Sequence, residues 1–332
     1  MNIFIEGPYW TGMWTEIIAD CLQQAGHRVG INYHNRKTLR DRLSLAGQSW
    51  LPGHNRKADW ARRHSKQLAE TMSHARWDIL LSIQGTLDQH TVTQCRRHSP
   101  ELKVFYWWGD ILTEQAQARI AAAAEFSERI LISSKGSYDS LYPHYPQQLL
   151  YFPFGAASRF HAVRNISAAE RKQFSAEVAF VGSCYPERCE LIRYLNRQLT
   201  APVTVWGRGW RHCRKVNSRG ALSLANSQKV HACSTVSLNL HHAKTSNGFN
   251  MKFYEIPAAG GFQICDWQPL LDETALGQQT IACRSFEEFA EKINYYLAHK
   301  QQRQQITEAT SKTVFSTEEY STRLAELFHH PH

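Results

Sequence analysis

Val178-Ala179-Phe180-Val181-Gly182-Ser183-Cys184-Tyr185-Pro186-Glu187-Arg188 runs from four apolar residues into a Gly-Ser turn and then to a proline. A short apolar run closed by glycine reads as a buried strand. Proline followed by an acid reads as the first turn of a helix, because its missing N–H would be unsatisfied there in any case. The stretch is one βα unit, and the same alternation continues on both sides of it. Downstream the pattern predicts strands at 203–206, 235–240, 262–265 and 280–283, with helices at 187–198, 222–231, 250–259 and 286–298. Upstream it predicts strands at 2–5, 28–33, 78–83, 103–107, 129–133 and 149–152, with helices at 12–25, 57–74, 89–98, 113–125 and 136–142. Strands alternating with helical segments imply a parallel sheet covered on both faces.

The periodicity lapses through 156–176, a polar stretch read as an interdomain connection. The expected fold is therefore α/β, with two Rossmann-like doubly wound domains facing across a cleft. Their bounds are 1–155 and 177–315, and a terminal helical segment at 316–332 is expected to lie back across the first domain. A chain of 332 residues fits two domains on a soft prior of about 100–200 residues each. Ligands of such folds bind outside the carboxyl ends of the strands, so function is sought in the loops that follow them.

Composition narrows the classes of function. Aromatic content of 11% and hydrophobic content of 42% exclude a disordered chain. No run approaches the roughly 18 apolar residues of a membrane span, and the first residues lack the basic start and apolar middle of a secretory leader. The expected location is the cytoplasm, with peripheral contact at the inner membrane face. The eight cysteines show no C-x-x-C pair and no zinc-site spacing, so reduced, mostly buried thiols and no metal site are expected. Net charge is +9. Segment 34–66 holds nine basic residues against two acidic ones, with Tyr33, Trp50 and Trp60 interleaved. Such a segment suits an anionic partner, either nucleic acid or an anionic membrane surface, unless it is a solvated helix face.

Four stretches carry candidate chemistry. Asn247-Gly248-Phe249-Asn250-Met251-Lys252-Phe253-Tyr254-Glu255 opens a helix from a glycine-bearing loop. Backbone N–H groups and the positive end of the helix make a seat for phosphate oxygens there. Glu255, in the second turn, can accept from the two hydroxyls of a ribose, and Lys252 on the same face can neutralise phosphate; a solvated surface helix would carry the same pair. In the opening stretch, Gly182 lets a ligand approach the backbone, while Ser183 and Arg188 can donate to a diphosphate. Trp206-Gly207-Arg208-Gly209-Trp210 ends a strand on an arginine between two indoles, which can stack on a base or fill the core. His242 and Lys244 follow the strand at 235–240 toward the same strand ends. Neither G-x-G-x-x-G nor a Walker loop is present, which weighs against nicotinamide and ATPase readings.

Taken in order, F-V-G-S…E-R, V-x-V-x-G-x-G-W, S-x-x-L-N-L and N-x-K-x-Y-E-I-x-A-x-G-G resemble the CgeB-like glycosyltransferases of the GT-B superfamily. The resemblance is close over 178–297, moderate around 107–110 and 131–155, and weak elsewhere. It implies a donor domain in the second half that binds a nucleotide-diphosphate sugar as co-substrate, with no further cofactor, and an acceptor domain in the first half. On this resemblance Glu255 grips the ribose, Gly182, Ser183 and Arg188 face the diphosphate, and Gly248, Asn250 and Met251 cradle the phosphates. Arg208, His242 and Asn247 complete the donor set. Asn247 stands where retaining relatives carry the first Glu of E-x7-E, and Lys252 stands where the family more often has Arg, keeping the charge without the fork.

The implied reaction moves a glycosyl group while a nucleoside diphosphate departs, and fixed cations can stabilise that charge. The chain has no D-x-D motif, so metal independence is expected. An inverting transfer needs a base for the acceptor proton; the candidates are Asp110, after the strand at 103–107, and Glu6, after the first strand. The implied acceptor is anionic, such as a cell-envelope glycolipid or polysaccharide. The rival readings are a DNA-modifying glycosyltransferase acting on a hydroxylated base, a sugar epimerase, and a non-catalytic nucleotide-sugar-binding or envelope/spore structural protein.

Overall fold

The computed structural model describes residues 1–10, 12–36, 56–245 and 247–329. The chain divides into two compact units, Met1–Phe152 and Pro153–His332. In the first, β1 (Asn2–Gly7), α1 (Trp14–Gln24), β2 (Arg28–Tyr33), α2 (Arg56–Met72), β3 (Ile79–Ile83), α3 (Gln89–His98), β4 (Lys103–Trp108), α4 (Glu114–Ala124), β5 (Arg129–Ile132), α5 (Lys135–Leu141) and β6 (Leu149–Tyr151) follow one another. The strands form one parallel sheet in the order β2-β1-β3-β4-β5-β6. Every residue of β3 is buried, as expected for a strand with helices over both faces. Asp88 and Thr113 cap α3 and α4 by accepting from the backbone N–H groups of Thr91 and Ala116, which fixes where each helix starts.

The second unit contains α6 (Ser158–His161), α7 (Ala168–Phe174), β7 (Val178–Val181), α8 (Pro186–Gln198), β8 (Thr204–Trp206), β9 (Asn217–Ser218), α9 (Leu224–Cys233), β10 (Val236–Asn239), α10 (Met251–Ala258), β11 (Gln263–Asp266), α11 (Ala275–Gln279), β12 (Ile281–Cys283), α12 (Phe286–Ala298), α13 (Lys300–Thr317) and α14 (Tyr320–His329). Its parallel sheet runs β12-β11-β10-β7-β8-β9. Val178, Phe180, Val205, Val236, Leu238 and Ile264 from its strands meet Leu191, Ile192 and Leu195 of α8 and Phe289 and Ile293 of α12 in one core. Each unit thus has the expected doubly wound α/β build.

The division between the compact units falls between Phe152 and Pro153, and the polar stretch 156–176 contains two short helices. A capping box between Ser167 and Glu170 starts the second of these helices. At the C-terminus, Ala156 N–H donates to Glu318 O and Tyr320 N–H to Ala156 O, both at 2.8 Å, so the turn before α14 is tied to the first residues of the second unit. Arg323 joins that tie by pairing with Glu318 and donating to Phe154 O. Helix α13 has no counterpart among the expected elements: Thr310 and Val314 are its buried residues, too few to give a readable apolar period.

One expectation is corrected. Cys189 and Cys213 form a disulfide across 24 residues, whereas the scattered cysteines predict only reduced thiols. The pairing exists because the first turn of α8 lies against the turn Trp210–His212 after β8, a proximity that spacing does not reveal. Among the described residues no helix is long and apolar enough to cross a membrane. Of the basic segment, 37–55, with Lys37, Arg40, Arg42 and Trp50, lies outside the described residues.

Candidate functional site

In the second sheet the chain leaves β7 toward β8 and β9, then returns to the other side of β7 as β10. That reversal opens a crevice at the carboxyl ends of β7 and β10, where open α/β sheets bind ligands. A cavity of about 260 Å³ lies there. Its walls come from the start of α8 (Glu187, Arg188), the loop after β10 (Leu240 to Ala243, Thr245), the ends of β11 and β12 (Asp266, Gln268, Arg284) and the start of α12 (Ser285, Phe286).

Arg188 stitches two of those loops together. Its Nη1 donates to Ser183 O at 3.1 Å and its Nη2 to Leu240 O at 2.7 Å. Its Nε is buried without a partner. The guanidinium also lies over the Tyr185 ring, 4.9 Å from its centroid, and Tyr185 meets the His242 ring edge-on. Opposite, Asp266 accepts from His241 twice, from the backbone N–H at 2.8 Å and from Nδ1 at 2.9 Å, and from Gln268 Nε2 at 3.2 Å. Burial pushes the Asp266 carboxyl up, but these donors outweigh it and hold it below the usual range. His241, Asp266, Gln268 and Arg284 were not among the expected residues. The only signal for them is their place at strand ends.

Of the expected donor residues, Arg188 and His242 line the cavity. Ser183 is exposed in the loop that Arg188 holds. Gly182 spends its N–H on Trp206 O at 2.8 Å and its carbonyl on the Trp210 indole at 2.8 Å, so its backbone belongs to the sheet edge. Arg208 is exposed, and its carbonyl accepts from Cys184 N–H at 2.9 Å. Asn247 accepts from Leu270 N–H at 2.9 Å, which ties the loop containing Gly248 to the turn after β11. Asn250 caps α10, accepting from Phe253 N–H and donating to Asn239 Oδ1, and Met251 begins that helix.

Glu255 lies apart from the cavity lining. It is 2% exposed, paired with Lys252, and faces His161 and His231. Burial alone would raise its pKa, but the charge of Lys252 and the two histidines bring it below the ordinary value. Desolvation pushes His231 down to about 3 and lowers His161 as well. Each of these histidines keeps a buried Nε2 without a partner, and so does the carboxamide of Gln228 one turn before His231.

In the first unit, Glu6 is the penultimate residue of β1 and is fully buried. Its Oε1 accepts from His64 Nε2 of α2 at 3.0 Å and its Oε2 from Ser82 Oγ of β3 at 2.5 Å. Burial would raise its pKa; the His64 hydrogen bond, the field of His34 and the Ser82 hydroxyl bring it below normal. Gly85 makes room for this carboxylate, since a Cβ there would lie 1.9 Å from Glu6 Oε2. Asp110 is exposed beyond β4, and its Oδ1 accepts from the next backbone N–H, that of Ile111, at 2.8 Å.

Comparison with known proteins adds family and fold. Residues 188–329 match the family model described as "Glycosyl transferase-like". No curated protein matches the chain. Among solved structures, a glycosyltransferase from Rickettsia africae ESF-5 is similar at a TM-score of 0.66 and 13% identity, with 99% of this chain and 97% of that one covered. The lipopolysaccharide outer core galactosyltransferase WaaB is similar at 0.56 and 13%, covering 98% of each chain. A DNA-modifying β-glucosyltransferase is similar at 0.54 and 10%, covering 98% and 96%. At such identities the likeness is one of fold. The chain has the two-sheet GT-B fold of these glycosyltransferases, and its second unit carries a glycosyl transferase-like segment from 188 to 329.

Proposed function

We propose that the chain is a cytoplasmic, CgeB-like glycosyltransferase that moves a sugar from a nucleotide-diphosphate donor to an anionic acceptor, such as an envelope glycolipid or polysaccharide. The observation that carries this reading is the cavity at the carboxyl ends of β7, β10, β11 and β12. It lies at the reversal of strand order, and every lining residue except Glu187 falls inside the segment that matches the family model. A nucleoside diphosphate leaving group needs fixed positive charge and N–H donors. Arg188 supplies the charge at the cavity, and Ser183 and the Gly248–Met251 turn supply donors in neighbouring loops. The absence of D-x-D suits a transfer in which such side chains, without a metal ion, meet the leaving charge. Asp110, with an exposed carboxylate, takes the acceptor proton in an inverting reaction, and Glu6 acts through His64 as a positioning group.

A thermal-shift screen of UDP, GDP, TDP and CMP sugars tests the donor assignment, because a ligand bound only by the native state raises the melting temperature by mass action. One base should stand out; no shift with any of them sinks the donor reading. Calorimetry with Glu255→Ala tests the ribose contact separately, and wild-type affinity in that variant would remove Glu255 from the donor site.

A second acceptor is favoured by a specific observation, the net +7 over 34–66 with aromatic residues interleaved. DNA with a hydroxylated base would use that charge on its phosphates. Duplex binding that collapses between low and moderate salt supports it, and salt-insensitive or absent binding returns the acceptor to the envelope class.

A further inference from the structure

Three cysteines from three separate elements come together beside the loop after β7. Cys184 lies in that loop, Cys189 in the first turn of α8, and Cys213 closes the turn Trp210–His212 after β8. Their three sulfur atoms all lie within 4.8 Å of one another. The surrounding backbone holds them there: Cys184 N–H donates to Arg208 O at 2.9 Å, Cys213 N–H donates to Trp210 O at 2.9 Å, and the Cys213 sulfur sits 3.8 Å from Cys189 O. Cys184 and Cys189 are half-buried and Cys213 is buried, so the cluster is sheltered yet reachable.

We propose that the reduced form of this cluster is a three-thiolate binding site for a soft d10 cation, with zinc as the reference ion. A disulfide uses two of the three sulfurs and leaves Cys184 over, whereas a metal ion uses all three. None of the other five cysteines is in a disulfide, a pattern typical of compartments that keep thiols reduced. There a dithiol reductant delivers two electrons and two protons to the Cys189–Cys213 bond and is itself oxidised to a disulfide. The ion then displaces the thiol protons of its ligands. Thiolate sulfur binds zinc at about 2.3 Å, which in a tetrahedral site places sulfurs about 3.8 Å apart. Once the disulfide is reduced, the Cys189 and Cys213 sulfurs part from bonding distance to this spacing by movements of about 1 Å each, Cys184 comes in from at most 4.8 Å by about the same amount, and water can complete the shell. The bound ion would fasten the loop carrying Gly182 and Ser183 to α8 and to the turn after β8. The disulfide fastens only the last two. The site does not depend on the proposed sugar transfer, because its readout is metal binding.

The experiment uses the full chain. Thiol counting after treatment with a phosphine should rise from six to eight free thiols. The reduced protein should then take one equivalent of Zn²⁺ in competition with a chromophoric chelator, and Cd²⁺ should bring ultraviolet thiolate-to-metal absorption. Cys184→Ser should weaken zinc binding at least as much as the roughly 10–100-fold cost of second-shell losses. In its oxidised form that variant should melt like the oxidised wild type, which shows that it folds. Cys95→Ser, a buried thiol of the other unit, should bind as wild type does. The proposal is overturned by a thiol count that stays at six under reduction, by the absence of stoichiometric binding to the reduced chain, or by equal affinity in Cys184→Ser.

Discussion

Arg188 Nη2 donates to the carbonyl of Leu240 at 2.7 Å, joining the first turn of α8 to the loop after β10 across the point where strand order reverses. The same guanidinium holds Ser183 O, so one side chain sets the spacing of both loops at the mouth of the cavity. Lysine has the charge but a single nitrogen, and it cannot span two carbonyls in a fixed plane. Arg188→Lys should therefore lower stability by about 1–2 kcal/mol in denaturant melts. It should also weaken nucleotide-sugar binding roughly tenfold in calorimetry, equivalent to about 1.4 kcal/mol. Unchanged values in both measurements would show that the stitch is incidental.

The carboxylate of Glu6 is a buried charge held by His64 and Ser82. Glu6→Gln keeps the shape and removes the charge, and should cost about 2 kcal/mol. Because the folded pKa lies below the ordinary 4.5, the wild-type carboxylate contributes its full share of stability above that value. The share is lost as pH falls through the lower folded value, so urea midpoints of the wild type and Glu6→Gln should converge below pH 4.5. Donor binding in the second unit should be unaffected, whereas sugar transfer should drop if Glu6 positions His64 for the acceptor.

Burial sets the pH response of His231. Its folded pKa is about 3 against an ordinary 6.5. Between those values the unfolded chain binds one proton more than the native chain, so stability falls as pH falls, by about 1.4 kcal/mol per pH unit for this group. His161 is lowered for the same reason and adds to the slope. Denaturant midpoints measured from pH 7 to 5 should show this decline, and His231→Gln should flatten it. An identical slope in the variant would mean that His231 is not held neutral.

Gly207 has φ +154, and a Cβ there would lie 1.9 Å from the backbone oxygen of Gly182. Gly207→Ala must move the β7–α8 loop and should cost about 3 kcal/mol or more, with donor binding lost alongside stability. Gly220 is the control. Its φ of +80 carries strain, but nothing lies within 4 Å of an added Cβ. Gly220→Ala should cost about 1–2 kcal/mol and leave the cavity intact.

Local pattern alone was enough to read the twelve-strand outline, with the exception of Asn217–Ser218, a two-residue exposed edge strand with no apolar signature. Strands such as Ile79–Ile83 and Val178–Val181 are legible because burial on both faces demands a nearly continuous apolar run. Helices such as Pro186–Gln198 are legible because proline and a charged first turn mark their start. Helix Lys300–Thr317 is not, since little of it enters a core. The residue types of the donor loops could also be read in order along the chain. Their company could not. Asp266 meets His241 from 25 residues away, Glu255 turns toward Lys252 and the buried histidines, away from the cavity lining, and Cys189 finds Cys213. Such partnerships come from the parallel crossovers, which bring the ends of strands distant in sequence to one edge of a sheet. Sequence spacing records the period of each element, and only the packed sheet decides which loop tips share a crevice.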